Sequence, residues 1–221
     1  MRGEIVVGEL VYLAVERHYR DLRDGAKRGL RFDVGRAWHI IRYIEKYFVH
    51  IKGSLAGKPI LLDPWQKFWT AVKYGWLRED GYRRFTRGYE EVARKNGKST
   101  WTGPQGAYLF MMDAEPGAEV YAVATTREQA MSVYKPAFDN FRKWARRSPG
   151  IRRSFKIHEG KNLEQITMDS AVFKPLPANA ESLEDVAKAH TLGASGVGLY
   201  RTEFLFLQRR ELPGEDEQFQ V

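Results

Sequence analysis

An α/β fold built around a parallel sheet is what the sequence predicts, and three features indicate it. Runs typical of strands alternate with runs typical of helices between residues 84 and 175, at the spacing of parallel strands joined by crossover helices. A turn rich in lysine and glycine separates the first strand of this series from its first helix. The chain has 221 residues, 43% of them hydrophobic, so we expect one good core and one α/β domain.

The individual elements can be assigned in order along the chain. Residues 5–24 and 33–51 carry apolar residues at helical spacing, and Asp63-Pro64 begins a third helix that runs to about Tyr74. The series that follows consists of strand 84–92, loop 93–97, helix 98–112, strand 119–125, helix 127–147, and strands near 154–158, 164–168 and 171–175. Farther on, residues 183–192 suit a helix and 196–200 a short strand.

The loop before helix 98–112 contains a pattern typical of phosphate binding. Gly97-Lys98-Ser99 forms the second half of the phosphate-binding pattern G-x-x-x-x-G-K-[ST], whose first glycine is replaced here by Val92. Such a loop holds phosphates with backbone N–H groups and its lysine, while its hydroxyl ligates Mg²⁺. Lys98 and Ser99 would take these two roles. The alternative is a lysine-rich turn that caps an ordinary helix.

Charge and composition restrict the partners. The net charge of +8 suits a polyanion, and residues 142–153 form the densest basic run, with Trp144 as an aromatic that could lie against a sugar or base. A solvated helix face is the alternative for this run. The chain has no cysteine, which excludes disulfides and thiolate metal sites. No apolar run reaches the ~20 residues of a membrane helix and no signal-peptide pattern is present, so we expect a cytosolic protein without a membrane partner.

Residues 93–99 resemble the degenerate Walker A motif of the large terminase subunit of tailed phages, the motor ATPase that packages DNA into procapsids. Three further segments resemble this family in the correct order: 62–66 its adenine-contacting glutamine motif, 116–130 its second strand and following helix, and 173–183 the lead into Walker B. The likeness covers about residues 1–183. It implies a truncated P-loop NTPase of the ASCE, RecA-like class, with a helical lead-in over 1–80 and a P-loop core over 81–183.

The resemblance also implies cofactors, partners and roles. ATP and Mg²⁺ would be the cofactors, double-stranded DNA, the terminase small subunit and the portal protein the partners, and the host-cell cytoplasm the location. Lys98 and Arg94 would be catalytic, Ser99 would ligate Mg²⁺, and Gln66 would contact adenine. The nucleotide-binding residues of the loop would be Arg94, Lys95, Asn96, Gly97, Lys98, Ser99 and Thr100. Gln66 could instead be an ordinary helix-surface glutamine beside two core tryptophans, and Arg94 a surface cation.

Where the family continues into Walker B, this chain changes character. Residues 184–221 resemble the phosphoenolpyruvate-binding barrel of phosphotransferase-system Enzyme I, through 198–205 and 211–219. In that family the arginine that matches Arg201 contacts the substrate phosphate. The segment holds four Lys and Arg against seven Asp and Glu, so the positive charge lies in 1–183. We expect 184–221 to be a fragment that is not an independent domain.

Activation of water is the step for which the sequence offers no clear residue. No apolar strand ending in Asp-Glu follows residue 125, and Asp169 closes a strand without a following Glu. One substitute is a strand at 197–200 in the vacant sheet position, with Glu203 as an imperfect base and Thr202 in place of the Mg²⁺ carboxylate. Three hypotheses result: a DNA-packaging ATPase domain impaired in hydrolysis, a phosphoenolpyruvate-protein phosphotransferase fragment, and an inactive fusion product.

Overall fold

The computed structural model describes residues 6–93, 95–113, 115–160, 164–177 and 197–198. They form two compact units. The first unit consists of the chain up to Tyr47 together with Leu61–Glu91. The second consists of Phe48–Ile60 and the described residues from Val92 onward. Among the described residues, no helix combines the length and the apolar character that crossing a bilayer requires.

The first unit is mainly helical. Its elements are α1 (Glu9–Asp24), a 3₁₀ turn (Gly25–Arg28), β1 (Arg31–Phe32), α2 (Val34–Tyr47), α3 (Pro64–Gly75) and β2 (Trp76–Leu77). β1 and β2 pair in antiparallel fashion. The three helices confirm the prediction, although α2 ends at Tyr47 rather than at residue 51, because the chain passes into the second unit at Phe48.

α3 begins where its sequence predicts. The Asp63 side chain accepts a hydrogen bond from the backbone N–H of Gln66, and Gln66 Oε1 accepts one from Asp63 N at 2.9 Å. Pro64 occupies the first turn, where its missing N–H costs nothing. This reciprocal capping box satisfies two donors that the helix end would otherwise leave free.

Two buried hydrogen-bonded groups stabilise the first unit. Asp21 is buried and accepts hydrogen bonds from both Arg28 and Arg84. The indole Nε1 of Trp76 donates to His18 Nδ1 at 3.1 Å, which requires the neutral imidazole to accept on that nitrogen. Burial lowers the pKa of His18 from its usual value, against the opposing effect of Asp21, so the accepting form is favoured.

The strand predicted for 84–92 is wrong, because these residues form irregular chain in the described structure. The start of the segment is bound to other parts of the first unit. Arg84 N donates to Trp76 O at 2.8 Å, and the Arg84 side chain donates to Asp21. Gly88 lies directly on the indole of Trp69, since a Cβ at this position would be 2.7 Å from the ring. These contacts within the first unit replace the ladder that a sheet strand would form.

The second unit is an α/β layer structure. Its elements are α4 (Lys98–Met111), β3 (Glu119–Ala124), α5 (Arg127–Arg147), α6 (Pro149–Ser154), β4 (Lys156–His158), β5 (Gln165–Met168), β6 (Ala171–Pro177) and β7 (Val197–Gly198). The sheet has the order β4-β5-β6-β3-β7, in which β3 is parallel to both of its neighbours and β5 is antiparallel to both β4 and β6. The helices and strands predicted between residues 98 and 175 are confirmed, α6 was not predicted, and the sheet is mixed rather than wholly parallel.

α4 and α5 pack together over this sheet. Phe173 of β6 lies at the centre of the contact: it packs edge-on against Tyr134, whose hydroxyl donates to Phe173 O at 3.1 Å. On α4, Gly103 approaches the backbone of α5, because a Cβ there would be 2.6 Å from the carbonyl oxygen of Val133. The helices can therefore approach closely only because this position has no side chain.

We expect Gly103→Ala to destabilise the second unit by about 1–3 kcal/mol. Alanine normally stabilises a helix relative to glycine, by up to about 1 kcal/mol, but here its methyl group would meet a backbone oxygen that cannot rotate away. Urea unfolding of both proteins measures the difference. Gly150→Ala is the matched control, since its Cβ would lie 3.7 Å from Ser148 Oγ and should be tolerated. Equal stability of the Gly103 variant and wild type would contradict the packing argument.

Residues 48–60 form a small excursion that belongs to the second unit. Val49 and Pro59 form an isolated bridge, and Ile60 N donates to Phe48 O at 3.0 Å, so the segment closes on itself. Phe48 is fully buried and packs edge-on against Trp144 of α5. The Asn140 side chain holds the backbone of Val49 through both its oxygen and its nitrogen. α5 therefore anchors this excursion.

Candidate phosphate-binding site

The predicted phosphate loop is a sharp turn that ends at the N-terminus of α4. Lys95 and Gly97 both have positive φ, 71° and 72°, so the backbone turns sharply on either side of Asn96. For a residue with a side chain this left-handed conformation costs on the order of 1–2 kcal/mol, and such strain is typical of functional sites. The Asn96 side chain donates to Ala93 O at 3.3 Å and supports the turn from within.

Gly97 is the residue before the first turn of α4 and brings no side-chain cap to it. Trp101 N donates to Gly97 O at 3.0 Å, which fixes the start of the helix. The N–H groups of the first turn therefore point out of the helix end, where the helix dipole adds partial positive charge. Lys98, Ser99 and Thr100, which form this turn, are all partly exposed. A helix end of this kind is suited to bind phosphate.

Lys98 reaches back across the turn. Its Nζ donates to the carbonyl oxygen of Val92 at 2.9 Å, which closes the loop between residues 92 and 98. The ammonium group therefore lies at the mouth of the loop, beside the carbonyl group of Val92. Trp101 and Gln105, farther along α4, are buried and anchor the helix that carries Lys98.

The loop lies at the carboxyl edge of the parallel strands. α4 packs on β3 and leads into it through residues 112–118, so the two elements run in opposite directions. The N-terminus of α4 is therefore level with the end of β3 at Ala124. Ligands of open α/β sheets bind at this edge. Asp169, one of the two acids considered for water activation, lies in the turn between β5 and β6, at the opposite edge of the sheet.

The other predicted site residues are placed as follows. Gln66 lies in the first unit and is buried, with its Oε1 engaged in the cap of α3, so it is not the exposed helix-surface residue of the alternative prediction. Arg94, Arg201, Thr202 and Glu203 lie outside the described residues. The structure thus brings together Lys95, Asn96, Gly97, Lys98, Ser99 and Thr100 at one helix end.

The predicted basic run lies on the end of α5 and on α6. Arg146, Arg147, Arg152 and Arg153 are exposed there, whereas Arg142 is paired with Glu159 at 2.6 Å. Trp144 does not extend toward a partner, because its ring packs against Phe48 and Phe141, each with a centroid distance of 4.9 Å. The role proposed for Trp144 against a sugar or base is therefore replaced by a packing role.

One perturbed group was not singled out in the sequence. Burial lowers the pKa of Lys73 to about 8, although Glu90 opposes the shift. The ammonium lies 4.7 Å from the centroid of the Trp69 ring and 5.4 Å from that of Tyr74. Helical spacing marks Lys73 as an ordinary residue of α3, and nothing in the sequence reveals the burial that disfavours its charge.

A lysine-bearing turn before a helix that packs on parallel strands is a feature of P-loop ATPases. Residues 64–190 match the family of the terminase large subunit, ATPase domain. Since this match takes in more than half of the chain, the chain belongs to that family. A crystal structure of the HK97 bacteriophage large terminase has the same fold, with a TM-score of 0.54 and 18% identity, over 75% of this chain and 37% of that one.

A second likeness covers a shorter stretch of the chain. The phosphoenolpyruvate-protein phosphotransferase of Cupriavidus necator is 49% identical over 76 residues, 32% of this chain and 13% of that protein. That of Geobacillus stearothermophilus is 59% identical over 63 residues, 28% of this chain and 10% of that protein. The chain thus spans about a tenth of the length of these relatives. These matches confirm the second resemblance, and they are longer than 184–221 alone.

Proposed function

We propose that the chain is the ATP-binding motor domain of a terminase large subunit, with a helical lead-in over 1–80, a P-loop core over 81–183 and an Enzyme I-like fragment over 184–221. The observation that carries the proposal is the Lys98 ammonium at the mouth of a turn that precedes α4, in a chain of this family. ATP phosphates would bind the first turn of α4 and Lys98. Gln66 would contact adenine, and Arg94 would stabilise developing charge.

Nucleotide-dependent thermal unfolding tests this proposal. A ligand that binds only the folded protein raises the melting temperature, so ATP with Mg²⁺ should stabilise the chain in a concentration-dependent manner. Phosphoenolpyruvate with Mg²⁺ is the comparison, because stabilisation by that compound alone would support the phosphotransferase alternative and the role of Arg201. Stabilisation by neither compound would support the inactive fusion product.

Mg²⁺ would be held chiefly by ATP phosphates and by the Ser99 hydroxyl. Ser99 is partly exposed in the first turn of α4, next to Lys98, which fits this role. Mg²⁺ in such sites is usually held through one or two carboxylates as well. Within the described ranges, His, Asp and Glu side chains nowhere form a group of three or more that could hold a metal ion. The proposal that hydrolysis is impaired is supported by the sequence, in which no apolar strand ending in Asp-Glu follows residue 125.

We expect ATP turnover well below the ~1–100 s⁻¹ of ordinary enzymes of this kind, because a hydroxyl cannot replace a carboxylate that orients water. Phosphate release from ATP with Mg²⁺ measures it, with Lys98→Ala as the background. Turnover within the ordinary range would show that an acid has been overlooked. Glu203 would then be the first residue to replace, since Asp169 lies at the far edge of the sheet.

We also propose duplex DNA as a partner, bound through the exposed arginines of α5 and α6, and the small subunit and portal protein as assembly partners in the host-cell cytoplasm. DNA affinity should be independent of sequence and should fall steeply between 50 and 200 mM salt, because about one counterion is released for each phosphate neutralised. Fluorescence anisotropy measures this. Arg152→Gln/Arg153→Gln should weaken binding, whereas Lys27→Gln/Arg31→Gln removes equal charge in the first unit and should not. A flat salt dependence would contradict the proposal.

A further inference from the structure

The two edges of β3 are covered in different ways. On one edge all six residues of β3 pair in parallel with β6, from Glu119 opposite Val172 to Ala124 opposite Pro177. On the other edge the described pairing is limited to Tyr121 opposite Val197 and Ala122 opposite Gly198. The strand on this second edge, β7, comes from the segment that resembles the phosphotransferase. The outer edge of an ATPase-family strand is therefore occupied by a strand of the other part of the chain.

The composition of β3 is poorly suited to a strand at the exposed edge of a sheet. The last three residues of β3, Ala122, Val123 and Ala124, are at most 4% exposed. Its sequence, Glu-Val-Tyr-Ala-Val-Ala, contains no proline or lysine of the kind that protects natural sheet edges from pairing with other chains. A parallel neighbour satisfies the free N–H and C=O groups of such an edge. β3 thus needs a partner on its outer side.

We propose that the outer edge of β3 is a strand-docking site, and that Val197-Gly198 fills it by strand addition within the same chain. The phosphotransferase-like segment is in this way attached to the ATPase sheet, whose exposed edge it covers. Because β7 runs parallel to β3, the chain leaves β7 at the carboxyl edge of the sheet, the edge at which α4 begins. The inference is independent of nucleotide binding, since it rests on backbone pairing alone.

The absence of cysteine from the sequence allows a direct test by disulfide formation in the full-length chain. Tyr121→Cys/Val197→Cys places two thiols at register partners, on neighbouring strands about 4.8 Å apart, within the Cα separation that a disulfide accepts. Tyr121→Cys/Gly198→Cys is the matched control, because residues one position apart on a strand point to opposite faces. Both pairs carry the same number of thiols and the same change at Tyr121.

We expect mild oxidation to form the intramolecular disulfide at least about fivefold faster in the 121/197 pair than in the 121/198 pair. Non-reducing gels and peptide mapping by mass spectrometry measure both rates. Equal rates in the two pairs, or no intramolecular disulfide in either, would overturn the proposal.

Amide hydrogen exchange gives a second measurement without cysteine. Val197→Pro/Gly198→Pro removes both N–H groups of β7, and with them the one that faces β3, which a docked strand needs. Successive N–H groups of a strand point to opposite edges, so exchange should then become faster at the one of Tyr121 and Ala122 whose N–H faces β7, while the other keeps the protection of the pairing with β6. Unchanged exchange at both residues of β3 would overturn the proposal. Faster exchange throughout the sheet would also do so, because it would show that these prolines act on folding and not on this edge.

Discussion

Lys98→Ala is expected to remove most of the thermal stabilisation that ATP with Mg²⁺ gives to the wild-type chain. The Lys98 ammonium lies at the mouth of the loop, 2.9 Å from Val92 O, and it is the charged donor that α4 carries in its first turn. Without it, phosphate charge would be met only by backbone dipoles and by the loop's remaining groups. A charge-assisted hydrogen bond contributes about 1.5–3 kcal/mol, so ATP affinity should fall by about 10–100-fold.

Titration of the melting temperature with ATP and Mg²⁺ measures this loss. Lys98 also holds the loop through Val92, so the melting temperature of Lys98→Ala without nucleotide must be compared with that of wild type. Lys27→Ala is the matched control, since this side chain is 83% exposed and lies in the first unit. An equal rise in melting temperature for Lys98→Ala and wild type would show that the phosphate loop has been wrongly assigned.

Local signals predicted the second unit well. α5 begins and ends at the predicted residues because Thr126 caps its N-terminus, accepting from Gln129 N at 3.3 Å, and its apolar period is maintained through 21 residues. The turn of the candidate site was also predictable, because a glycine followed by a lysine directly before an apolar helical run indicates a helix end with a lysine beside it. Both features depend on residues that are close together in the sequence, so the sequence alone is enough to predict them.

Features that depend on distant contacts were not predictable. Residues 84–92 have partly alternating apolar residues, which suggested a strand, but Arg84 and Gly88 are held by Asp21 and Trp69 of the first unit. Tertiary contacts override a weak local preference of this kind. The bond from Lys98 to Val92 has the same origin: it depends on the path of the loop, which the pattern of residue types does not specify.

Asn140 is the residue for which such a distant contact is expected to matter most. It is 1% exposed on α5, yet its side chain makes three hydrogen bonds to backbone groups. Its Oδ1 accepts from Val49 N at 3.1 Å, and its Nδ2 donates to Val49 O at 3.0 Å and to Pro136 O at 2.7 Å. Residues 91 positions apart in sequence are thereby joined.

Asn140→Leu should therefore destabilise the second unit by about 2–6 kcal/mol, because leucine fills the space of asparagine but leaves the N–H and C=O of Val49 without partners, at about 1–3 kcal/mol each. Urea unfolding measures the total, and hydrogen exchange of the Val49 amide reports the local effect. Ser132→Ala is the control on the same helix, since that hydroxyl donates to Gln129 O at the exposed surface. Its removal should change the free energy of unfolding by less than about 0.5 kcal/mol. If the Val49 amide exchanged as slowly in Asn140→Leu as in wild type, the excursion at 48–60 would have to be anchored by Phe48 and its aromatic neighbours instead.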